Sequence, residues 1–258
     1  AALLLADAIA QENRPIRLDR VPVNSPLIPA LKAQMKRRGW VSERPAAPFP
    51  TITLDGRWTA PETRFNTGRQ SDFRRARRRA EQFGHVSFSV HTPSVDEFDA
   101  LFDEAIGVEM RSWKKETGSA LAISRANGDF FRRYFRSACD HQAVRIAFMR
   151  INGRPVAMQL AMLSSDRFWL FKIGHDESFG RCSPGTLLML HTLGYAASIG
   201  LRGYEYLGST ERWIADFWTQ EQHECVRLRT YPFNARGAGA LLADGAQWLW
   251  RRMRGAAG

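Results

Sequence analysis

The sequence predicts a mixed α/β fold, an α+β arrangement in which one sheet carries both parallel and antiparallel strands and helices lie on its faces. Three observations lead there. Residues 144–151 and 155–163 read as strands joined by Asn152-Gly153, the strongest two-residue hairpin signal. Ser164-Ser165-Asp166 then turns the chain into a third strand at 168–173, completing an antiparallel meander. A helix over 184–199, stopped by Gly200, carries the chain to Tyr204-Glu205-Tyr206-Leu207, and a crossover of this kind sets that strand parallel to its neighbour.

The other elements follow in order. Residues 1–60 read as helix, strand, helix, strand. Arg14-Pro15 breaks the first helix, and 16–21 is a short strand. Ser25-Pro26 opens the second helix, serine as cap and proline in the first turn, and Gly39 ends it. A proline-rich stretch, 45–50, leads into a strand at Thr51-Ile52-Thr53-Leu54, which Asp55-Gly56 closes. An arginine-rich helix is expected over 69–83, with Phe73, Ala76, Ala80 and Phe83 at helical spacing and Gly84 as its stop. Arg74, Arg75, Arg77, Arg78 and Arg79 cover its remaining faces. After a strand at 86–90, Ser94-x-x-Glu97 is a capping box that starts a helix with Val95, Phe98, Leu101, Phe102 and Ala105 on its apolar side. A helix over 128–138 is expected to bury Phe130, Phe131, Tyr134 and Phe135. About ten residues of loop separate the third meander strand from the crossover helix. The last strand is placed at 226–231, and the tail from Gly237 reads as a surface helix ending in Arg251, Arg252 and Arg254.

The chain has 258 residues, 44% apolar and 24% charged, enough to bury a sizeable core. No apolar run reaches the roughly 18 residues a membrane span needs. The opening alanines and leucines lack a basic leader and soon meet Asp7, which argues against a signal peptide. The chain starts without Met, in what reads as the middle of a helix, and is expected to be a piece of a longer protein. Cys139, Cys182 and Cys225 form no CxxC pair, so a reduced cytoplasmic setting is expected. The histidines show no ligand spacing, and no metal is expected. A net charge of +11, carried mostly by scattered arginines, suits nucleic acid, an anionic membrane or a phosphorylated ligand. Arginine-rich codon usage is an equally good reading. Trp248-Leu249-Trp250-Arg251-Arg252 is read as a packed terminal helix in preference to a segment that docks on an anionic membrane.

The segment richest in chemistry is Phe179-Gly180-Arg181-Cys182-Ser183-Pro184-Gly185-Thr186-Leu187. Ser183 suits an N-cap, Pro184 the first helical position, and Gly185 a close backbone approach by a ligand. The N–H groups of Gly185, Thr186 and Leu187 would then point outward with the positive end of the helix dipole behind them, an arrangement that binds phosphate. Arg181 adds a charged contact to the same oxygens. The bland alternative is an ordinary capped helix start.

Together with this segment, Ser112-Trp113-Lys114, Asp176 and Gly200-Leu201-Arg202-Gly203-Tyr204-Glu205-Tyr206-Leu207-Gly208 give the chain a resemblance. It resembles the GNAT acyltransferase superfamily, in particular its cellulose-biosynthesis-type (CelD/BcsL-like) branch, related to Fem-type aminoacyl transferases. The resemblance covers about residues 1–235. It implies a GNAT-like acyl-CoA N-acyltransferase fold, with 1–68 as the C-terminal remnant of a first GNAT-like half, 69–235 as the acyltransferase domain and 236–258 as a basic helix. Leu18-Asp19-Arg20-Val21 weakly echoes Tyr204-Glu205-Tyr206-Leu207, as a repeat of that kind would.

What the resemblance further implies is direct transfer of an acyl group, acetyl above all, from CoA to an amine or hydroxyl of a sugar, polysaccharide precursor or amino compound. The pyrophosphate would lie on Ser183, Gly185, Thr186 and Leu187 with Arg181, and the thioester between strands 168–173 and 203–207. Glu205 is the candidate base, because burial raises a carboxylate's proton affinity. A Glu satisfied by an arginine is the alternative. The family usually has Asp here. It also has a Tyr-Lys pair that this chain replaces with Ser209-Thr210-Glu211-Arg212, so the lysine's acceptor contact does not carry over, and Arg212 or Glu211 is the candidate substitute. Trp113 and Lys114, after Glu109, match the family's acceptor-side helix end; a core Trp with a solvent-facing Lys fits equally well. His175 and Cys182 suggest a nucleophile pair, but lack an orienting third group. A Fem-type transferase using aminoacyl-tRNA, with the Arg74–Arg79 stretch on the phosphates, and a non-catalytic basic adaptor are the competing functions.

Overall fold

A computed structural model describes residues 1–112, 125–208 and 212–255. In chain order the first elements are α1 (Ala2–Gln11), β1 (Arg17–Pro22), α2 (Leu27–Met35), β2 (Gly39–Thr53), α3 (Thr67–Glu81) and β3 (Val86–His91). Then come α4 (Val95–Glu109), α5 (Arg125–Cys139), β4 (Val144–Ile151), β5 (Arg154–Ser164) and β6 (Arg167–His175). The last are α6 (Pro184–Ser198), β7 (Gly203–Tyr206), α7 (Arg212–Ala215), β8 (Gln222–Pro232) and α8 (Ala235–Gly255). The chain divides into two compact units, one of residues Thr51–Leu207 and one of Ala1–Pro50 with Gly208–Gly258.

In the unit 51–207 the strand order is β2-β7-β6-β5-β4-β3, where β2 contributes its last three residues. Every pairing is antiparallel except β6 with β7. The meander turns where the sequence says it should. Asn152 and Gly153 both have positive φ, 50° and 79°, and so do Ser165 and Asp166, 52° and 58°. That geometry matches the twist of the flanking strands.

Alternation along β4 supplies two cores. Val144, Ile146 and Phe148 face α4 and α5, where Phe98, Phe102 and Phe135 are buried. Ala147, Met149 and Ile151 face the other way, against Ala76 and Ala80 of α3 and Leu187 and Leu188 of α6. Ser94 and Glu97 close the expected capping box at the start of α4. Two expectations for helices need correction. Phe130 and Tyr134 of α5 are 55% and 40% exposed and stack on each other, while Phe135 is buried. The inward stripe runs through 131 and 135, one position further round the helix. Phe83 falls beyond the end of α3 and is exposed.

In the other unit β8 lies between β1 and β2, antiparallel to both. Val226 and Leu228 pack on Ala6, Ile9, Leu31 and Met35 of α1 and α2. The opposite face meets α8, whose Asp244 accepts the Tyr231 hydroxyl at 2.6 Å. The proline-rich stretch is not a lead-in to a strand but part of β2 itself. Over residues 39–50 that strand pairs with β8 alone, and prolines are tolerated where one edge needs no ladder. Among the described residues no helix is long and apolar enough to cross a membrane.

Candidate active site

β6 and β7 pair over only four residues, from Arg167 opposite Gly203 to Leu170 opposite Tyr206. β6 then runs on to His175, paired with β5 on its other side. Where β7 leaves, the β5–β6 register shifts: Ala161 is opposite Leu170 and Leu160 opposite Lys172, so Phe171 is an extra residue. A bulge of this kind bends its strand and re-aims the residues beyond it. The two parallel strands therefore part after Leu170.

The opened end of β6 has two different faces. Ile173 and His175 lie under the first turn of α6, where a Cβ on Gly185 would sit 3.6 Å from His175 Nδ1 and 4.0 Å from Ile173 Cδ1. Lys172 and Gly174 point the other way, to the end of α4. There Lys172 Nζ stands 3.6 Å from Oε1 of the fully buried Glu109.

Asp176 fixes the loop from β6 to α6. It is 3% exposed, caps the 3-10 turn Glu177–Cys182, and accepts from Ser178 N and Oγ, from Arg111 Nε at 2.8 Å and from Arg154 Nη2 at 2.6 Å. Burial opposes its ionisation, but these hydrogen bonds outweigh burial and hold its pKa down to about 2. The Glu177 N–H donates to Arg111 O, which ties the same loop to the end of α4.

The start of α6 corrects the expectation of three free amides. Ser183 is left-handed, φ 49°, and its side chain makes no cap bond, although serine at this position was expected to cap. Thr186 N–H donates to Ser183 O at 3.0 Å and Leu187 N–H to the same oxygen at 3.2 Å. Leu187 is the fourth residue after the cap, so its amide makes the first full helical bond and was never available. Among the described residues only the Gly185 N–H of the three lacks such a bond. Around it are the exposed Ser183 and Arg181, and Arg79 of α3, whose Nη1 donates to Arg181 O at 3.4 Å. Cys182 is fully buried, burial raises its thiol pKa, and its Sγ donates to Phe179 O. It is packed as a core residue, which leaves no nucleophile pair with His175.

Glu205 is fully buried, as expected, but it ion-pairs with Arg167 across the two strands. The arginine-satisfied alternative is the arrangement present. Tyr204, on the opposite face of β7, bonds Thr192 and Gln159 beneath α6, and burial raises its hydroxyl pKa. Trp113, Lys114 and the side chain of Arg212 lie outside the described residues. No cluster suited to a metal occurs among the described residues. Sequence reasoning missed Lys172, Arg167, Arg111 and Arg154, whose partners are all remote in the chain. A groove of about 520 Å³ also runs along α6 from Leu187, lined by Arg74, Arg77, Phe88, His191 and Tyr195 among others.

Residues 67–214, more than half of the chain, match the family described as "Acetyltransferase (GNAT) domain". The chain belongs to this GNAT family. Comparison with curated proteins gave no match. Among solved structures, a conserved protein of unknown function from Bacteroides thetaiotaomicron is similar at TM-score 0.53 and 16% identity, over 88% of this chain and 73% of that one. The C-terminal domain of a putative lysylphosphatidylglycerol synthetase from Agrobacterium fabrum is similar at TM-score 0.52 and 12% identity, over 95% and 75%. FemX is similar at TM-score 0.52 and 11% identity, over 90% and 76%. At these identities the likeness is one of fold. The GNAT assignment places the parted strands and the α6 start within the matched residues.

Proposed function

We propose that this GNAT protein moves an acyl group, acetyl in the first instance, from CoA directly to an amine or hydroxyl. The acceptor is a sugar, a polysaccharide precursor or an amino compound, as in the CelD/BcsL-like branch, and the setting is cytoplasmic. One observation carries the reading: β6 parts from β7 beside the first turn of α6. A thioester lying in that opening has its carbonyl against strand backbone, and its pyrophosphate near the Gly185 N–H, the Ser183 hydroxyl, Arg181 and Arg79. The positive end of the α6 dipole adds to that field. The groove that starts at Leu187 offers the nucleotide end room and two arginines.

In this reading the acceptor's lone pair attacks the thioester carbonyl, the C–S bond breaks, and CoA leaves with the sulfur. The acceptor's proton goes to Glu109, at the open end beside Lys172 and a few residues before Trp113 and Lys114 in the sequence. Glu205, clamped by Arg167 inside the paired segment, braces the strands instead of acting as the base. Residues 1–68 remain assigned as the remnant of a first GNAT-like half, 69–235 as the transferase and 236–258 as a terminal helix.

Calorimetric titration with acetyl-CoA tests the donor. Saturable binding that Gly185→Glu removes supports the reading, and absence of binding at millimolar ligand overturns it, leaving a Fem-type transferase or a non-catalytic adaptor. The exposed arginines of α3 favour a second reading, a Fem-type transferase on aminoacyl-tRNA. That reading requires tRNA binding that weakens steeply with salt and with Arg74→Gln and Arg78→Gln together.

A further inference from the structure

The sheet of β1, β8 and β2 carries a second basic site, unrelated to the opened strands. On the face turned away from α1 and α2, Arg17 stands opposite Arg229, which is opposite Ser42, and Arg227 stands opposite Arg44. Like charges placed directly across strands destabilise a sheet, and here two such pairs occupy adjacent rows. A pocket of about 130 Å³ lies over them, closed on one side by Asp244 and Trp248 of α8.

Two carboxylates hold three of these arginines in place. Asp19 accepts from Arg17 Nε at 2.7 Å and from Arg227 Nε, and Asp244 Oδ2 lies 2.6 Å from Arg229 Nε. Asp19 takes the Nε of Arg17 and of Arg227, while Asp244 ion-pairs with Arg229 without a hydrogen bond to its Nε, and the terminal nitrogens of these forks are left to a second acceptor. Arg44 is exposed and has no carboxylate partner among the described residues. Four guanidiniums thus face two carboxylates, and the local excess of two positive charges matches a phosphomonoester dianion. The volume suits one phosphoryl group and excludes a whole nucleotide.

We propose that this pocket binds the phosphoryl group of a phosphomonoester, at a site separate from acyl transfer. The bound dianion relieves the arginine–arginine repulsion across the strands, and Trp248 at the rim contacts whatever the phosphate is attached to. Inorganic phosphate is the first probe, titrated calorimetrically at constant ionic strength into the full chain and into Arg44→Gln, Arg17→Gln and Gly185→Glu. Arg44 and Arg17 are exposed strand residues outside the acyl-transfer site, and circular dichroism checks their folding.

Saturable binding weakened about tenfold or more by Arg44→Gln and by Arg17→Gln, and unchanged by Gly185→Glu, is the expected result. Glycerol 3-phosphate in solution and phosphatidate in vesicles form two further arms. Arg44-dependent binding of either supports the pocket and identifies the source that reaches it. Absence of saturation at tens of millimolar phosphate, or binding removed by Gly185→Glu and untouched by Arg44→Gln, overturns the proposal.

Discussion

Replacing Asp176 with asparagine removes the charge that gathers Arg111, Arg154 and Ser178 around the loop into α6. The carboxyl is held at about 2 against an ordinary 3.8, which corresponds to roughly 2 kcal/mol of folding free energy. A depressed native pKa stabilises only while the group is ionised. The contribution is therefore complete well above 3.8, falls as pH drops through the interval from about 4 to about 2, and is absent below it. At about pH 3 roughly half of it remains. Urea unfolding of parent and Asp176→Asn, followed by tryptophan fluorescence in a pH series, reads this directly. The gap between them is expected to be about 2 kcal/mol near neutrality and to narrow toward acid. A gap that stays constant with pH, or that is under about 0.5 kcal/mol at neutrality, refutes the claim that the charge locks the loop.

Other outcomes follow from the same geometry. Glu205→Gln is expected to cost about 1–3 kcal/mol in thermal or urea unfolding, because Arg167 loses its cross-strand partner, with acetyl-CoA affinity nearly unchanged. Glu109→Gln is expected to lower kcat by about tenfold or more with acetyl-CoA affinity nearly unchanged; if Glu205→Gln does this instead, the two roles are exchanged. Ser94→Ala removes one arm of the capping box at α4 and is expected to cost about 1 kcal/mol in urea unfolding. Gly153→Ala puts a Cβ on a residue at φ 79° and is expected to cost about 1 kcal/mol, with a lower unfolding midpoint as the readout.

Local signals made much of the fold legible. Asn152-Gly153 and Ser165-Asp166 announce turns that need positive φ, and Ser94-x-x-Glu97 announces a helix start, because each is satisfied within a few residues. The prolines of β2 misled for the complementary reason. Whether a proline can sit in a strand depends on which edge is paired, and the partner β8 is more than 170 residues away. The site divides the same way. The GNAT resemblance brought attention to the α6 start, where, of the three amides, Thr186 and Leu187 bond Ser183 O and Gly185 does not. Counting helical bonds from Ser183 would have excluded Leu187 without a structure. No reading of neighbours, however, could have joined Arg167 to Glu205, Lys172 to Glu109, or Arg111 and Arg154 to Asp176.

The position of β8 between β1 and β2 has a consequence for how the molecule is made. On the ribosome, β1 and β2 emerge long before the strand that fills the gap between them, while everything needed for residues 51–207 is already present. Until residue 232 has left the exit tunnel, the two early strands expose unsatisfied edges, and the paired arginines of the phosphoryl pocket do not yet exist. Residues 17–53 are therefore exposed to aggregation on the nascent chain, and the emergence of β8 ends that exposure.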